Sequence, residues 1–210
     1  MESTTSRESI LSKVRKALAI STSLPFPNSE NRNTIFSANE EEDEAVLFAE
    51  KFTSLQGKFV YSPHEISLQD QLRSLISKMG WEKIYCKDPL CSALLDNIEI
   101  SISENLDDCD VSIAGCEALV SNTGSILVTT GSGDRTTSIY APIHITIAFS
   151  SQIVSNLSEA FVHIRKKYGN NIPSFISVAS GPSRTADIEK TLVTGVHGPK
   201  TVYCFLLEDH

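Results

Sequence analysis

The sequence predicts a single α/β domain whose strands pair in parallel, and three observations carry that prediction. From residue 58 onward, short runs of β-branched and aromatic residues alternate with segments of helical period, the pattern that pairs strands through crossover helices. The runs Ile143 to Phe149 and Val202 to Leu207 are apolar enough to read as buried strands. A chain of 210 residues with 40% hydrophobic content is long enough to bury one good core.

The elements follow in order. Thr5-Ser6-Arg7-Glu8 has the form of a capping box, and Ile10, Leu11, Val14 and Leu18 then recur on one face, giving a helix over about residues 6 to 19. Its other face carries Arg7, Lys13, Arg15 and Lys16, which suit an acidic partner or lipid, or simply accompany packing on the body or on a sister subunit of a homo-oligomer. From Ile20 to Asn39 the composition turns to Ser, Asn and Pro, which reads as a linker and divides the chain into residues 1–39 and a main domain over 40–210. The acidic run Glu40 to Glu44 favours a helix start, and Val46, Leu47, Phe48 and Phe52 supply its apolar face. Strands are predicted at Lys58–Tyr61 and Lys83–Cys86, separated by a helix over about Glu65 to Met79. A short helix from Asp88 to Leu95 precedes a strand at Asn97 to Ser101. Further strands fall at Val111–Ala114, Ser125–Thr129, Ile143–Phe149, Phe175–Val178 and Val202–Leu207, with a helix over about Asn156 to Tyr168.

Charge and composition exclude several functions. A net charge of −8 leaves no basic face to displace counterions from nucleic acid, and Arg165-Lys166-Lys167 reads as the solvated end of a helix. No leader pattern opens the chain and no apolar run can span a bilayer, so a cytoplasmic protein without a membrane span is expected. Cys86, Cys91, Cys109, Cys116 and Cys204 form no C-x-x-C pair, an odd count cannot fully pair, and iron–sulfur spacing is missing. No histidine pair at zinc spacing and no dinucleotide fingerprint occurs either. No cofactor is expected in this chain, and any iron–sulfur cluster belongs to a partner.

The densest polar chemistry is Ser180-Gly181-Pro182-Ser183-Arg184-Thr185-Ala186-Asp187-Ile188-Glu189, followed by Gly195-Val196-His197-Gly198-Pro199, set between two strand runs. It is expected to form a loop, a short helix and a turn at the carboxyl edge of a sheet, where α/β proteins bind ligands. Gly181 lets backbone approach a ligand, Ser183 and Thr185 bring hydroxyls, and Arg184 offers a planar fork for carboxylate or phosphate. Thr185 would cap the helix, while Asp187 and Glu189 would occupy its positive end. A capped helix with Arg184 paired to Asp187 or Glu189 is the plain alternative. His197, flanked by glycines, is the candidate acid or base, or else a turn histidine bonded to backbone. His144, inside an apolar strand, is expected to be a core histidine satisfied by a backbone partner. Gly131-Ser132-Gly133-Asp134-Arg135 reads as a mobile connector or a phosphate cradle.

These segments also carry a resemblance. The two-part C-terminal stretch, with Ser6-Arg7-Glu8-Ser9-Ile10-Leu11, Leu119-Val120-Ser121-Asn122-Thr123-Gly124-Ser125-Ile126 and Ala141-Pro142-Ile143-His144-Ile145, resembles in order the lactate utilization protein C family, also called the LUD domain. The resemblance implies a Rossmann-like sheet of the ribose-phosphate isomerase, glucosamine-phosphate deaminase and coenzyme A transferase type. It further implies a non-redox part in the oxidation of L-lactate to pyruvate alongside two iron–sulfur partner proteins, binding a small carboxylate or phosphate or docking those partners. The fold's relatives suggest the alternative of a stand-alone enzyme acting on a phosphorylated or acylated metabolite. Many family members carry glutamate where Asn122 stands, and coenzyme A transferases use a glutamate from a comparable turn as the acyl-carrying nucleophile. An amide cannot do so. Asn122, Thr123 and Gly124 are left to orient a ligand or to form a turn.

Overall fold

In the computed structural model, residues 6–19, 43–98, 100–131, 137–188, 191–195 and 197–209 are described. The chain divides into two compact units, Met1–Ser37 and Ala38–His210. In the first, helix α1 spans Ser6–Leu18, with Glu8 in its first turn and Arg15 and Lys16 in its last, the order that a helix dipole favours. Thr5 of the capping box, the linker and the acidic run before Asp43 lie outside the described residues, as do Ser132 to Thr136 of the glycine-rich connector.

Among the described residues of the second unit, six parallel strands form one sheet in the order β1 (Lys58–Ser62), β12 (Thr201–Leu207), β7 (Ile143–Phe149), β4 (Val111–Ala114), β2 (Ile84–Cys86) and β3 (Ile102–Ser103). A second sheet runs β8 (Ile153–Val154), β5 (Ala118–Val120), β6 (Ser125–Thr129) and β9 (Ile176–Ala179), antiparallel except where β5 meets β8. The helices are α2 (Glu44–Ser54), α3 (Glu65–Met79), α4 (Pro89–Leu95), the single turn α5 (Thr137–Tyr140) and α6 (Leu157–Tyr168). Their starts are capped: Asp43 accepts from the Ala45 amide, His64 Nδ1 from that of Ser67, and Asn156 from that of Glu159. Helix α3 stops at Gly80, which takes the left-handed φ of 68° that ends helices cheaply only at glycine.

Alternation along β7 and β12 divides the core. Ile145, Ile147, Tyr203, Phe205 and Leu207 pack with Leu68, Leu72 and Leu95 on the face covered by α3 and α4. Ala148, Val202, Cys204 and Leu206 face the other way and pack with Phe48 and Phe52 of α2 and with Leu119, Ile126 and Val128 of the second sheet. His144 and Thr146 share the parity of Ala148, so a two-residue period carries two polar side chains into an apolar layer.

Two expectations change. The strand expected at residues 97–101 is instead β3 at Ile102–Ser103, because α4 runs to Leu95 and a turn follows, in which the Ile98 amide donates to the Leu95 carbonyl. The helix expected after Ser183 is instead an antiparallel hairpin, β10 (Arg184–Ile188) with β11 (Thr191–Thr194). Both arms are rich in β-branched residues, with Thr185 and Ile188 in one and Thr191, Val193 and Thr194 in the other. That composition favours strands, and the pairing of the two arms was not visible from either alone.

Candidate functional site

The loop from Ser180 to Ser183 and the turn from His197 to Pro199 close over a cavity of about 260 Å3. They meet because the Ser183 amide donates to the Pro199 carbonyl at 3.0 Å and the Gly195 amide to the Ser183 carbonyl at 2.9 Å. A hydroxyl contact of 2.7 Å between Ser125 and Ser180 ties the loop to β6. Gly181 has φ 85°, and a Cβ there would stand 2.5 Å from the Leu55 carbonyl oxygen, so the close approach demands glycine.

The cavity lies at the amino ends of β7 and β12, not at the carboxyl edge that the sequence suggested. Strand β9 belongs to the antiparallel second sheet, and its carboxyl end at Ala179 lines the same cavity as Val202 near the start of β12. The polar segment therefore has no sheet to cross before β12 begins.

Ile126, Val128, His144, Thr146 and Val202 are among the residues that line the cavity. His144 is buried, and the strand register places it opposite Ser112 of β4. Its Nδ1 lies 2.8 Å from Ser112 Oγ, and that hydroxyl donates to the Thr137 carbonyl at 2.7 Å. A hydroxyl has one proton. If Ser112 gave it to the ring, two oxygens would face each other at 2.7 Å with no proton between them. The network therefore assigns the ring proton to Nδ1 and leaves Nε2 a bare acceptor. Nε2 has no hydrogen-bond partner among the described residues, and neither does Thr146 Oγ1. Burial pushes the His144 pKa down to about 4, so the ring is neutral at physiological pH.

An unmet buried hydroxyl costs stability, whereas a methyl of the same shape does not. Thr146→Val should therefore raise the stability of the unliganded protein by about 1 kcal/mol. Urea unfolding at neutral pH measures it, and a loss of stability would mean that the hydroxyl has a partner after all.

The other site residues fall in different places. Ser183 and Gly181 line the cavity, and His197 stands exposed at its rim. Arg184 does not line it: Nη2 donates to the Leu55 carbonyl at the end of α2, at 2.5 Å. Thr185 and Asp187 fall on β10, Thr185 in register with Val193. Asn122, Thr123 and Gly124 form the turn between β5 and β6, where the Asn122 amide donates to the Ser155 carbonyl and Asn122 Oδ1 is buried without a partner among the described residues. None of the three lines the cavity. Sequence reasoning missed Thr146 and misjudged His144, whose side chain is held by the Ser112 hydroxyl and not by backbone. The signal was present: two polar residues at a spacing of two on the same face of an apolar strand.

At the carboxyl edge a second cavity, about 220 Å3, adjoins Asp88 and Lys167. Its charged groups are already engaged: Asp88 accepts from the amides of Leu90, Cys91 and Gly115, and Lys167 donates to Glu117 at 2.8 Å. Glu117 also accepts from Tyr168 and Thr129; burial raises its pKa, but these bonds outweigh it and leave the pKa below the usual value. The cysteines are buried free thiols; burial pushes Cys86 up to about 11, and Cys91, Cys116 and Cys204 further. Among the described residues no group of three His, Cys, Asp or Glu side chains is placed to hold a metal ion, and no helix is long and apolar enough to cross a membrane.

The geometry defines a two-sheet, Rossmann-like α/β protein with a small cavity at the amino ends of its central strands. Residues 63–207 match the LUD domain, and the chain belongs to that family. A lactate utilization protein C of Halalkalibacterium halodurans is 32% identical over 109 residues, which cover 50% of this chain and 47% of that protein. The one from Shouchella clausii is 34% identical over 120 residues, covering 56% and 52%. One from a Geobacillus species is 27% identical over 168 residues, covering 69% and 70%. The chain spans about half the length of the first two of these curated relatives. The crystal structure of a DUF162 family protein from Deinococcus radiodurans, at 1.70 Å resolution, matches with a TM-score of 0.58 and 17% identity over 79% of this chain and 99% of that one. That likeness bears on the fold alone.

Proposed function

We propose that this chain is a non-redox component of a lactate utilization system and binds a small carboxylate-bearing metabolite in the cavity beside His144. Iron–sulfur chemistry in that reading belongs to two partner proteins. The names of the relatives support the process, and the observation that carries the site is the cavity beneath the Ser180 to Ser183 loop and the His197 to Pro199 turn, with Ser183 and His197 among its lining residues. The volume selects the ligand's size. At about 260 Å3 the cavity falls just under the ~300 Å3 at which ordinary ligand pockets begin, so it suits a metabolite of a few heavy atoms and not a nucleotide or a coenzyme A thioester.

Ser183 and His197 offer donors at the rim for the carboxylate, and His197 is the residue best placed to exchange a proton with a bound ligand. Arg184 serves in this reading to fasten the loop to α2. Acyl transfer through Asn122 has no support, since its amide is not a nucleophile and its turn does not line the cavity.

Ala179 lines the cavity from the end of β9. Filling the space with Ala179→Phe should weaken L-lactate binding by at least about tenfold while the protein still unfolds cooperatively. Calorimetric titration checks it, with lactate-dependent growth as the cellular readout. Unchanged affinity in a folded variant, or no binding to the wild type, would remove the site from consideration.

A further inference from the structure

We propose that helix α1 of one copy of this chain docks into an acidic groove beside α2 of a second copy, the two copies exchanging helices about a two-fold axis. The groove, of about 680 Å3, shares no lining residue with the cavity of the candidate site. Asp43, Glu44 and Glu50 line it from α2 and its cap, and Glu208 lines it from just after β12. Val46 of α2 and Tyr61 of β1 give it an apolar surface, 54% and 47% exposed. Strand β1 is an edge of the six-stranded sheet, so among the described residues no further strand shields that side. Among the described residues no lysine or arginine lines the groove. Asp43 accepts from the Ala45 amide and Glu44 from the Ser155 hydroxyl, neutral donors that leave both charges in place.

Helix α1 carries the complementary chemistry. Ile10, Leu11 and Val14 share one of its faces and are 59%, 40% and 48% exposed. At about 100° per residue, Lys13 and Arg15 fall on either side of that stripe. Aliphatic side chains flanked by cations thus match a groove in which apolar side chains sit among carboxylates, and charge sets the choice of partner. A helix of 13 residues is marginal in water by itself and draws its stability from packing an amphipathic face. The exposure of all three apolar residues in a single chain points to cover from another copy, which supplies the matching groove at equal concentration. One short helix in one groove buries little area. A two-fold axis makes the contact twice and brings the total toward the ~1,200 Å2 at which stable interfaces begin.

Sedimentation equilibrium of the full chain at low and high salt tests the proposal, on the wild type, on Arg15→Glu, on Glu50→Lys and on the two variants mixed. The wild type is expected to dimerise, more weakly as salt rises, because exposed charges are screened. Each reversal sets like charges against each other and should weaken the dimer by at least about tenfold. Arg15→Gln, which removes the charge but keeps helix propensity, should fall between the wild type and Arg15→Glu. Both positions are exposed, so thermal unfolding of each variant should show the main domain intact. In the mixture one wild-type helix meets one wild-type groove, and the heterodimer should form more tightly than either variant pairs with itself. A wild type that stays monomeric would overturn the proposal, as would a dimer that neither reversal weakens. Weakening by Arg15→Glu alone would put α1 on another surface, and weakening by Glu50→Lys alone would remove α1 as the occupant of the groove.

Discussion

Lowering the pH from 7 to 4 is expected to cost this protein about 3 kcal/mol of stability through a single side chain, His144. Burial holds the folded imidazole neutral and pushes its pKa down from 6.5 to about 4. Between those values the unfolded chain takes up a proton that the folded chain refuses. Stability from this source is whole above pH 6.5, drains at close to 1.4 kcal/mol per unit as the pH falls, and levels off below about 4. Glu117, a carboxyl held below its usual 4.5, adds a loss only at the acid end of that range. The interval from pH 6.5 to 5 therefore isolates the histidine. Urea unfolding at steps through it should show the full slope in the wild type and a flatter line in His144→Phe, which cannot titrate there. A wild-type profile already flat in that interval would mean that the ring is reachable by water or by a carboxylate.

The second large effect is expected at Gly124. This residue turns β5 into β6 with φ 60°, and a Cβ there would stand 2.4 Å from the Phe52 amide nitrogen and 2.6 Å from the Lys51 carbonyl carbon. These are backbone atoms of a helix that cannot retreat, since Phe48 and Phe52 are fully buried and stacked with ring centroids 5.4 Å apart. Left-handed backbone costs an alanine about 1–2 kcal/mol, and overpacking against a fixed neighbour typically adds about 1–3. Gly124→Ala should therefore lose roughly 3 kcal/mol or more in chemical denaturation. Because α2 ends at the Leu55 carbonyl that receives Arg184 and abuts Gly181, lactate affinity should fall with it. A cost under about 1 kcal/mol would show that the turn and α2 yield easily. The glycine's role is then steric: it lets the hairpin meet the helix that supports the cavity loop.

What the sequence determined by itself was local. The helix expected over Glu65 to Met79 is α3 with those bounds, because its period, its capped start and its closing glycine all lie within one continuous stretch. Strands β7 and β12 were equally legible, since a buried strand announces itself in its own apolar residues. The family was legible for a related reason: its segments are short, ordered and rich in glycine, proline and histidine, whose constraints act on their immediate neighbours.

Only the tertiary structure decided the rest. The β-branched residues between Arg184 and Ile188 lean towards a strand, but one forms only where Thr191 to Thr194 pairs with it. The edge of the sheet at which the cavity opens depended on β9 running antiparallel in a second sheet. The state of His144 depended on Ser112, 32 residues away, and through it on the Thr137 carbonyl. A side chain's propensity and period belong to its neighbours in the chain. Whether one of its nitrogens is left without a proton to accept is set by groups that only folding brings within 3 Å, and for that reason the elements could be read from the sequence while the chemistry of the cavity could not.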